Sequence, residues 1–199
     1  MRLAILLSGR GSNFQAIQQA IANRQLDAEI VCVISNRPDA PGLARARELG
    51  LSAHLVDHRV SPTREAHEEE VLRIIAETEP DFICLAGYMR LLSPAFVAAY
   101  PYRILNIHPS LLPAFPGVDA QAQAVAYGVK VSGCTVHFVD ENLDAGPIVV
   151  QRAVEVRSDD SAESLAARIL EQEHVAYVEA LIRLRTRTWR IDGRRVEFE

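Results

Sequence analysis

Short apolar runs alternate along the chain with longer segments whose apolar residues recur every three or four positions. LAILLS (3–8) is continuously apolar and predicts a buried strand. A glycine-bearing loop follows, then Phe14, Ile17 and Ile21 at helical spacing predict a helix over 13–23. EIVCVIS (29–35) predicts the next strand, Leu43 to Leu49 a helix stopped by Gly50, and SAHLVD (52–57) a short strand. Ser61 and Pro62 predict a helix start that runs to about Thr78, with Val71, Leu72 and Ile75 inward. DFICLAG (81–87) predicts a strongly buried strand, Ser93-Pro94 a short helix to Tyr100, and RILNIH (103–108) another strand. Residues 119–127 read as helical. VSGCTVHFV (131–139) and PIVVQRAVEV (147–156) alternate more and predict an antiparallel pair. Ser161 with Ser164 opens a long helix to about Arg185, with Leu165, Ile169, Val175, Val178, Leu181 and Ile182 inward. In the tail TWRIDGRRVEF, Asp192-Gly193 lies between two β-like arms and predicts a hairpin.

Strand–helix alternation with all-apolar early strands predicts an α/β fold, a mostly parallel, doubly wound sheet with an antiparallel C-terminal edge. Ligands of such sheets sit at the carboxyl ends of the strands. Ser8–Asn13, Ser35–Asn36, Gly87–Arg90 and Asn106–His108 fall at those ends and are expected to line one edge. There is no internal repeat, low-complexity stretch or long linker, and a single domain over 1–199 is expected.

Composition narrows the classes. Of 199 residues, 49% are hydrophobic and 24% charged, as in an ordinary globular chain. The net charge of −5 argues against a nucleic-acid partner but leaves room for a local basic pocket. Cys32, Cys84 and Cys134 are odd in number, far apart and set in or beside apolar runs, so they read as buried thiols of a reducing compartment. The opening run MRLAILLS is too short to span a membrane and meets a charged loop at once. No membrane association is expected, and the expected location is cytoplasmic.

Three loops carry candidate chemistry. In SGRGSNFQAI, Gly9 and Gly11 allow a tight turn, after which Ser12 and Asn13 present backbone N–H groups where a helix dipole favours an anion. Phe14 replaces the third glycine of a dinucleotide fingerprint and no Walker lysine follows, so the choice is a phosphate cradle or merely a tight connection. In NIHPSLLPAFPG, Asn106 and His108 share a face in extended chain. An amide there can donate to a developing oxyanion and an imidazole can act as acid or base, although a lone histidine is often only structural. In VDENLDAGPIV, Asp144 sits in a Gly/Pro-bounded turn; it either faces solvent or, if the loop reaches His108, orients the imidazole. No nucleophile elbow, reactive-cysteine setting or metal-ligand spacing is present, so no metal is expected. AGYMRLLSP (86–94) ends a buried strand with apolar groups and Arg90, which suits either a flat heterocycle with an anionic tail or plain core packing. Arg64 is a cation in the first turn of a helix, a dipole-unfavourable place that points toward a ligand.

Together SGRGSNFQAI, ISNRPDAPGLARA, LAGYMRLLSP, NIHPSLLPAFPG and GCTVHFVDENLDAGPIVVQ resemble, in order and spacing, the phosphoribosylglycinamide formyltransferases, folate-dependent enzymes of purine synthesis. The resemblance covers roughly residues 2–185. It implies a Rossmann-like formyltransferase fold with a phosphate-binding half (1–100), a catalytic and folate-binding half (101–185) and a C-terminal hairpin (186–199) outside the match. It implies 10-formyltetrahydrofolate as co-substrate and glycinamide ribonucleotide as acceptor, in a monomer or homodimer. By the same resemblance Asn106, His108 and Asp144 are catalytic, and Gly11, Ser12, Asn13 and Glu173 hold the ribonucleotide. Arg64, Met89, Arg90, Leu91 and Leu92, with Asp140, Glu141, Asn142 and Leu143, hold the formyl-folate, and His137 has a supporting place near the site. Many relatives carry a histidine near 119 or 121; Asp119 and Gln121 stand here, so no catalytic role is carried onto them. The expected chemistry is direct attack of the amine on the formyl carbon, with Asn106 and protonated His108 donating to the oxyanion. Sister enzymes, a formyl-folate hydrolase or another amine formyltransferase, are the nearest alternative; a non-catalytic nucleotide-binding module is a more distant one.

Overall fold

Five successive residues, Leu3 to Leu7, are wholly buried, which a strand achieves only when both its faces are covered. They belong to β1 (Arg2–Leu7). In the computed structural model, which describes all 199 residues, the chain divides into two compact units, Met1–Leu105 and Asn106–Glu199. The architecture is α/β, with parallel strands in the first unit and antiparallel strands toward the C-terminal edge in the second.

In the first unit β1, β2 (Glu29–Ser35), β3 (Ala53–Leu55) and β4 (Phe82–Leu85) lie in the order β3-β2-β1-β4, all parallel. The helices between them are α1 (Ser12–Ala22), α2 (Pro41–Glu48), α3 (Arg64–Thr78) and α4 (Pro94–Ala99). Two helix starts differ from the expected ones. α2 begins at Pro41, whose fixed φ suits a first helical position and whose missing N–H costs nothing there. α3 is capped by Thr63, not opened by Ser61: the Thr63 hydroxyl accepts from the Ala66 N–H at 3.1 Å, while Ser61 donates to the Asp57 carbonyl.

The second unit begins within β5 (Ile104–His108) and orders its strands as β5-β6-β7-β9-β8. β6 (Val131–Phe138) and β7 (Ile148–Glu155) are antiparallel, as expected, and α5 (Ala120–Tyr127) precedes them. α6 (Ala162–Thr186) packs on both strands and opens with a reciprocal capping box between Ser161 and Ser164. Its inward stripe is Leu165, Ile169, Glu173, Ala176, Tyr177, Ala180, Leu181 and Leu184. Val175, expected inward, is exposed, because Tyr177 and Ala176 fill the turn that faces the strands. The tail forms β8 (Trp189–Asp192) and β9 (Arg195–Phe198), antiparallel about Gly193 and Arg194, with β9 parallel to β7. The three cysteines are buried and unbonded to one another, and burial pushes the Cys134 thiol up to about 12, beyond reactive use. No helix is long and apolar enough to cross a membrane.

Burial lowers the pKa of His67 in the first unit and of His137 and His174 in the second. His67 donates from Nε2 to the Val56 carbonyl, leaving Nδ1 buried without a partner, so a second proton there has no acceptor. Between the lowered folded values and the unfolded value of about 6.5, the unfolded chain binds more protons, so stability rises with pH. We expect the urea midpoint to fall as pH drops from 7.5 to 5.5, above the range where carboxylates titrate, and His67→Gln to flatten that slope. A wild-type midpoint constant across this window would contradict the assignment.

Candidate active site

Residues two apart on a strand face the same way, and β5 ends on such a pair, Asn106 and His108. Facing them comes Asp144, from the loop joining β6 and β7. One oxygen of its carboxylate lies 3.4 Å from His108 Nδ1 and accepts the Gly117 N–H at 2.8 Å; the other lies 3.8 Å from His137 Nε2. The Asp144 and His108 side chains are less than a tenth exposed. Asn106, His108 and Asp144, with His137, which the resemblance also placed near them, lie together, and the Phe115 carbonyl and the Gly117 N–H join them.

Hydrogen bonds assign the protons. His137 Nδ1 donates to the Phe138 carbonyl at 2.8 Å, and burial, outweighing the opposing Phe138 contact and the Asp144 charge, lowers its pKa. His137 is therefore neutral, and its Nε2 lone pair accepts from the Asn106 amide nitrogen at 3.3 Å. That contact turns the Asn106 NH2 group inward and leaves its second N–H to donate elsewhere. His108 Nε2 donates to the Phe115 carbonyl at 2.8 Å. Its Nδ1 then bonds the Asp144 carboxylate only when the ring carries a second proton. Both His108 ring nitrogens face protein acceptors, the Phe115 carbonyl and the Asp144 carboxylate, whereas the Asn106 amide keeps one N–H beyond its contact with His137.

Local backbone explains the convergence. A register shift between Val136 and His137, which leaves Val149 of β7 as the extra residue, re-aims the end of β6. Gly146 comes so close that a Cβ on it would lie 1.9 Å from the Phe138 oxygen, the atom that holds His137. Phe115, Asp119 and Asp144 adopt left-handed φ values of 52°, 56° and 51°, a conformation costing roughly 1–3 kcal/mol for a non-glycine residue. Asp140, Glu141, Asn142 and Leu143 lie on the same loop as Asp144; the last three are exposed, and the Asp140 carboxylate accepts the Asn142 N–H. Glu173 is buried on α6, where its charge helps raise the Cys134 thiol. Gln121 is part of α5, and Asp119 precedes that helix without capping it through its side chain.

In the first unit the strand ends also converge. Ser8 donates to the Asn36 side chain at 2.6 Å and accepts the Met89 N–H at 2.8 Å, joining the ends of β1, β2 and β4. Arg64 is a brace: it donates to the Leu91 carbonyl at 2.7 Å and pairs with Glu68, which also accepts the Ser93 N–H. The segment of Met89, Arg90, Leu91 and Leu92 is thereby held from both sides, with Met89 and Leu91 outward and strongly exposed. α1 starts at Ser12 with Gly11 in the left-handed region and no side-chain cap; Asn13 is buried in its first turn. Gly42 of α2 packs on this loop, its N–H donating to the Gly9 carbonyl at 3.0 Å. A Cβ at Gly42 would lie 2.9 Å from Leu7 Cδ2 and 3.1 Å from that carbonyl. No group of three or more His, Cys, Asp or Glu side chains is placed to hold a metal ion.

Residues 1–181 match the model of the formyl transferase family. The chain belongs to that family. It is 42% identical to the phosphoribosylglycinamide formyltransferase of Escherichia coli over 194 residues, 98% of this chain and 89% of that one. It is 46% identical over 185 residues to a trifunctional purine biosynthetic protein of Drosophila melanogaster, covering 92% of this chain but only 14% of that longer protein. Among solved structures, glycinamide ribonucleotide transformylase 1 from Symbiobacterium toebii superimposes with a TM-score of 0.96 at 46% identity, covering all of this chain and 93% of that one. A formyltetrahydrofolate deformylase from Pseudomonas syringae gives 0.91 at 30% identity over 99% of this chain and 65% of that one.

Gly42 and the Phe115 carbonyl were not singled out from sequence, because each acts through backbone proximity to a distant segment. Gly42→Ala is expected to push against Leu7 and the 9–11 loop and to cost about 1–3 kcal/mol, the scale of overpacking a filled site. Urea unfolding measures it; a change under a few tenths would show that the loop yields freely.

Proposed function

We propose that this chain transfers the formyl group of 10-formyltetrahydrofolate to the amine of glycinamide ribonucleotide. The observation that carries the reading is the buried Asp144 carboxylate set against two imidazoles with the Asn106 amide alongside. The amine nitrogen bonds to the formyl carbon, and the carbonyl π electrons move onto oxygen. Asn106 donates its remaining N–H to that oxyanion, whose charge the positive His108 ring also stabilises when doubly protonated. Collapse breaks the bond to the folate nitrogen. The attacking amine must lose a proton and the leaving nitrogen must gain one; Asp144, with an oxygen turned to the His137 lone pair rather than to a donor, is the acceptor on this route.

In the same reading, Gly11, Ser12 and Asn13 bind the ribonucleotide phosphate, supported by a helix start with no side-chain cap. Glu173 is a further ribonucleotide residue. Arg64, Met89, Arg90, Leu91 and Leu92, and in the second unit Asp140, Glu141, Asn142 and Leu143, bind the formyl-folate. Exposed Met89 and Leu91 on a braced segment suit an apolar heterocycle. The enzyme so described works in the cytoplasm as a monomer or homodimer.

Purified protein is to be incubated with 10-formyltetrahydrofolate with and without the ribonucleotide, separating formylated amine from released formate by mass. Formylated ribonucleotide is expected; formate alone, whatever acceptor is present, would replace this reading with hydrolysis. Asn106→Ala is expected to lower kcat by about 10²–10³-fold, the scale of one lost oxyanion donor. Asp144→Asn, which tolerates the same left-handed backbone, is expected to lose at least as much while folding normally; wild-type turnover would remove Asp144 from the mechanism.

A further inference from the structure

The C-terminal hairpin lies beyond the matched residues 1–181 and carries the chain's one tryptophan. It touches both ends of one loop. The Trp189 ring packs on Phe138, with centroids 5.4 Å apart and planes 30° apart, where β6 ends. The Ile148 N–H, where β7 begins, donates to the Arg194 carbonyl at 3.3 Å, and Ile148 pairs with Arg195. Between Phe138 and Ile148 runs the segment 139–147, which holds Asp144.

The ends of this loop are also joined directly, by the Phe138 N–H donating to the Pro147 carbonyl at 2.8 Å. Phe138 has no exposed surface, and its carbonyl fixes the proton of His137. A left-handed Asp144 persists only where the surroundings over-determine it. The hairpin is itself anchored: Arg183 of α6 sits 6.0 Å over the Phe198 ring, and the Glu199 N–H donates to the Thr188 carbonyl.

We propose that the hairpin, through Trp189 on Phe138 and Arg194–Arg195 on Ile148, is a clamp on the base of the Asp144 loop, and that Trp189 is a positioning residue for Asp144 and His137. Its bearing on turnover rests on the formyl-transfer reading; its bearing on the loop does not. Trp189 touches no reacting atom. It acts by holding the end of β6, so loosening it frees the loop while leaving the far end of the same strand in place.

Hydrogen exchange followed by mass spectrometry on full-length Trp189→Ala tests this without any ligand. Amides across 138–148 are expected to exchange about three- to ten-fold faster, the scale of one lost aromatic pair. Peptides covering 131–135 should not change, Trp189→Phe should restore protection, and Trp189→Leu serves if the alanine variant does not fold. In the transfer assay Trp189→Ala should lower kcat by a similar factor with little change in KM for the ribonucleotide, and Trp189→Phe should recover it. Unchanged exchange at 138–148, or equal acceleration along all of β6, would overturn the clamp. Absence of formyl transfer in the wild type would overturn the functional reading and leave the exchange result to decide the clamp alone.

Discussion

A carboxylate almost shut off from solvent has to be met by donors or positive charge, and the second unit is organised around meeting Asp144. Its constant partner is the Gly117 N–H; its conditional partner is His108, which binds it fully only when doubly protonated. His137 faces it with a lone pair, because its proton is committed to the Phe138 carbonyl. The cluster therefore changes its internal bonding with one proton, which is the feature that the proposed formyl transfer draws on.

Three backbone devices impose this. The period of two along β5 aligns Asn106 with His108. The irregularity at Val136–His137 turns the end of β6, where His137 meets Asn106 of the adjoining β5. The missing side chain at Gly146 lets the returning loop lie against the Phe138 carbonyl. The left-handed residues Phe115, Asp119 and Asp144 occur in the two loops that border the cluster, while β5, β6 and β7 contain no non-glycine residue of positive φ. Strain is concentrated where side chains must be aimed, as in other preorganised sites.

Much of this was legible in the chain because the signals are local. The Ser161–Ser164 capping box, the hairpin signalled by Asp192-Gly193 and the apolar run of β2 each state their structure within a few residues, although the hairpin turns on Gly193 and Arg194. Asn106, His108 and Asp144 could be named because a strand-end pair and a Gly/Pro-bounded acid are visible as residue types. What stayed hidden is carried by the main chain across long separations. Nothing in the letters says that the Phe115 carbonyl occupies His108, or that Gly42 supports the 9–11 loop. Arg64 shows the same limit: its odd place at a helix start was visible, but its bond to the Leu91 carbonyl was not. Val175 was misplaced because periodicity alone weighs every valine equally, whereas packing prefers the larger Tyr177 on the strand-facing side.

The closeness of a deformylase structure, at a TM-score of 0.91, sets the final question, since fold does not decide between water and an amine as nucleophile. Under the proposed function Asn106, His108 and Asp144 suit either reaction, since both need an oxyanion donor, an imidazole beside it and a proton acceptor. The difference has to lie in how the nucleophile is held. Correct orientation of a bound group is equivalent to an effective concentration of about 10⁵–10⁸ M, far above that of bulk water. An acceptor anchored by its phosphate thus outruns hydrolysis with no change in the catalytic groups. Under the proposed function, that anchoring falls to Gly11, Ser12 and Asn13, and a phosphate-bearing acceptor is what separates transfer from hydrolysis.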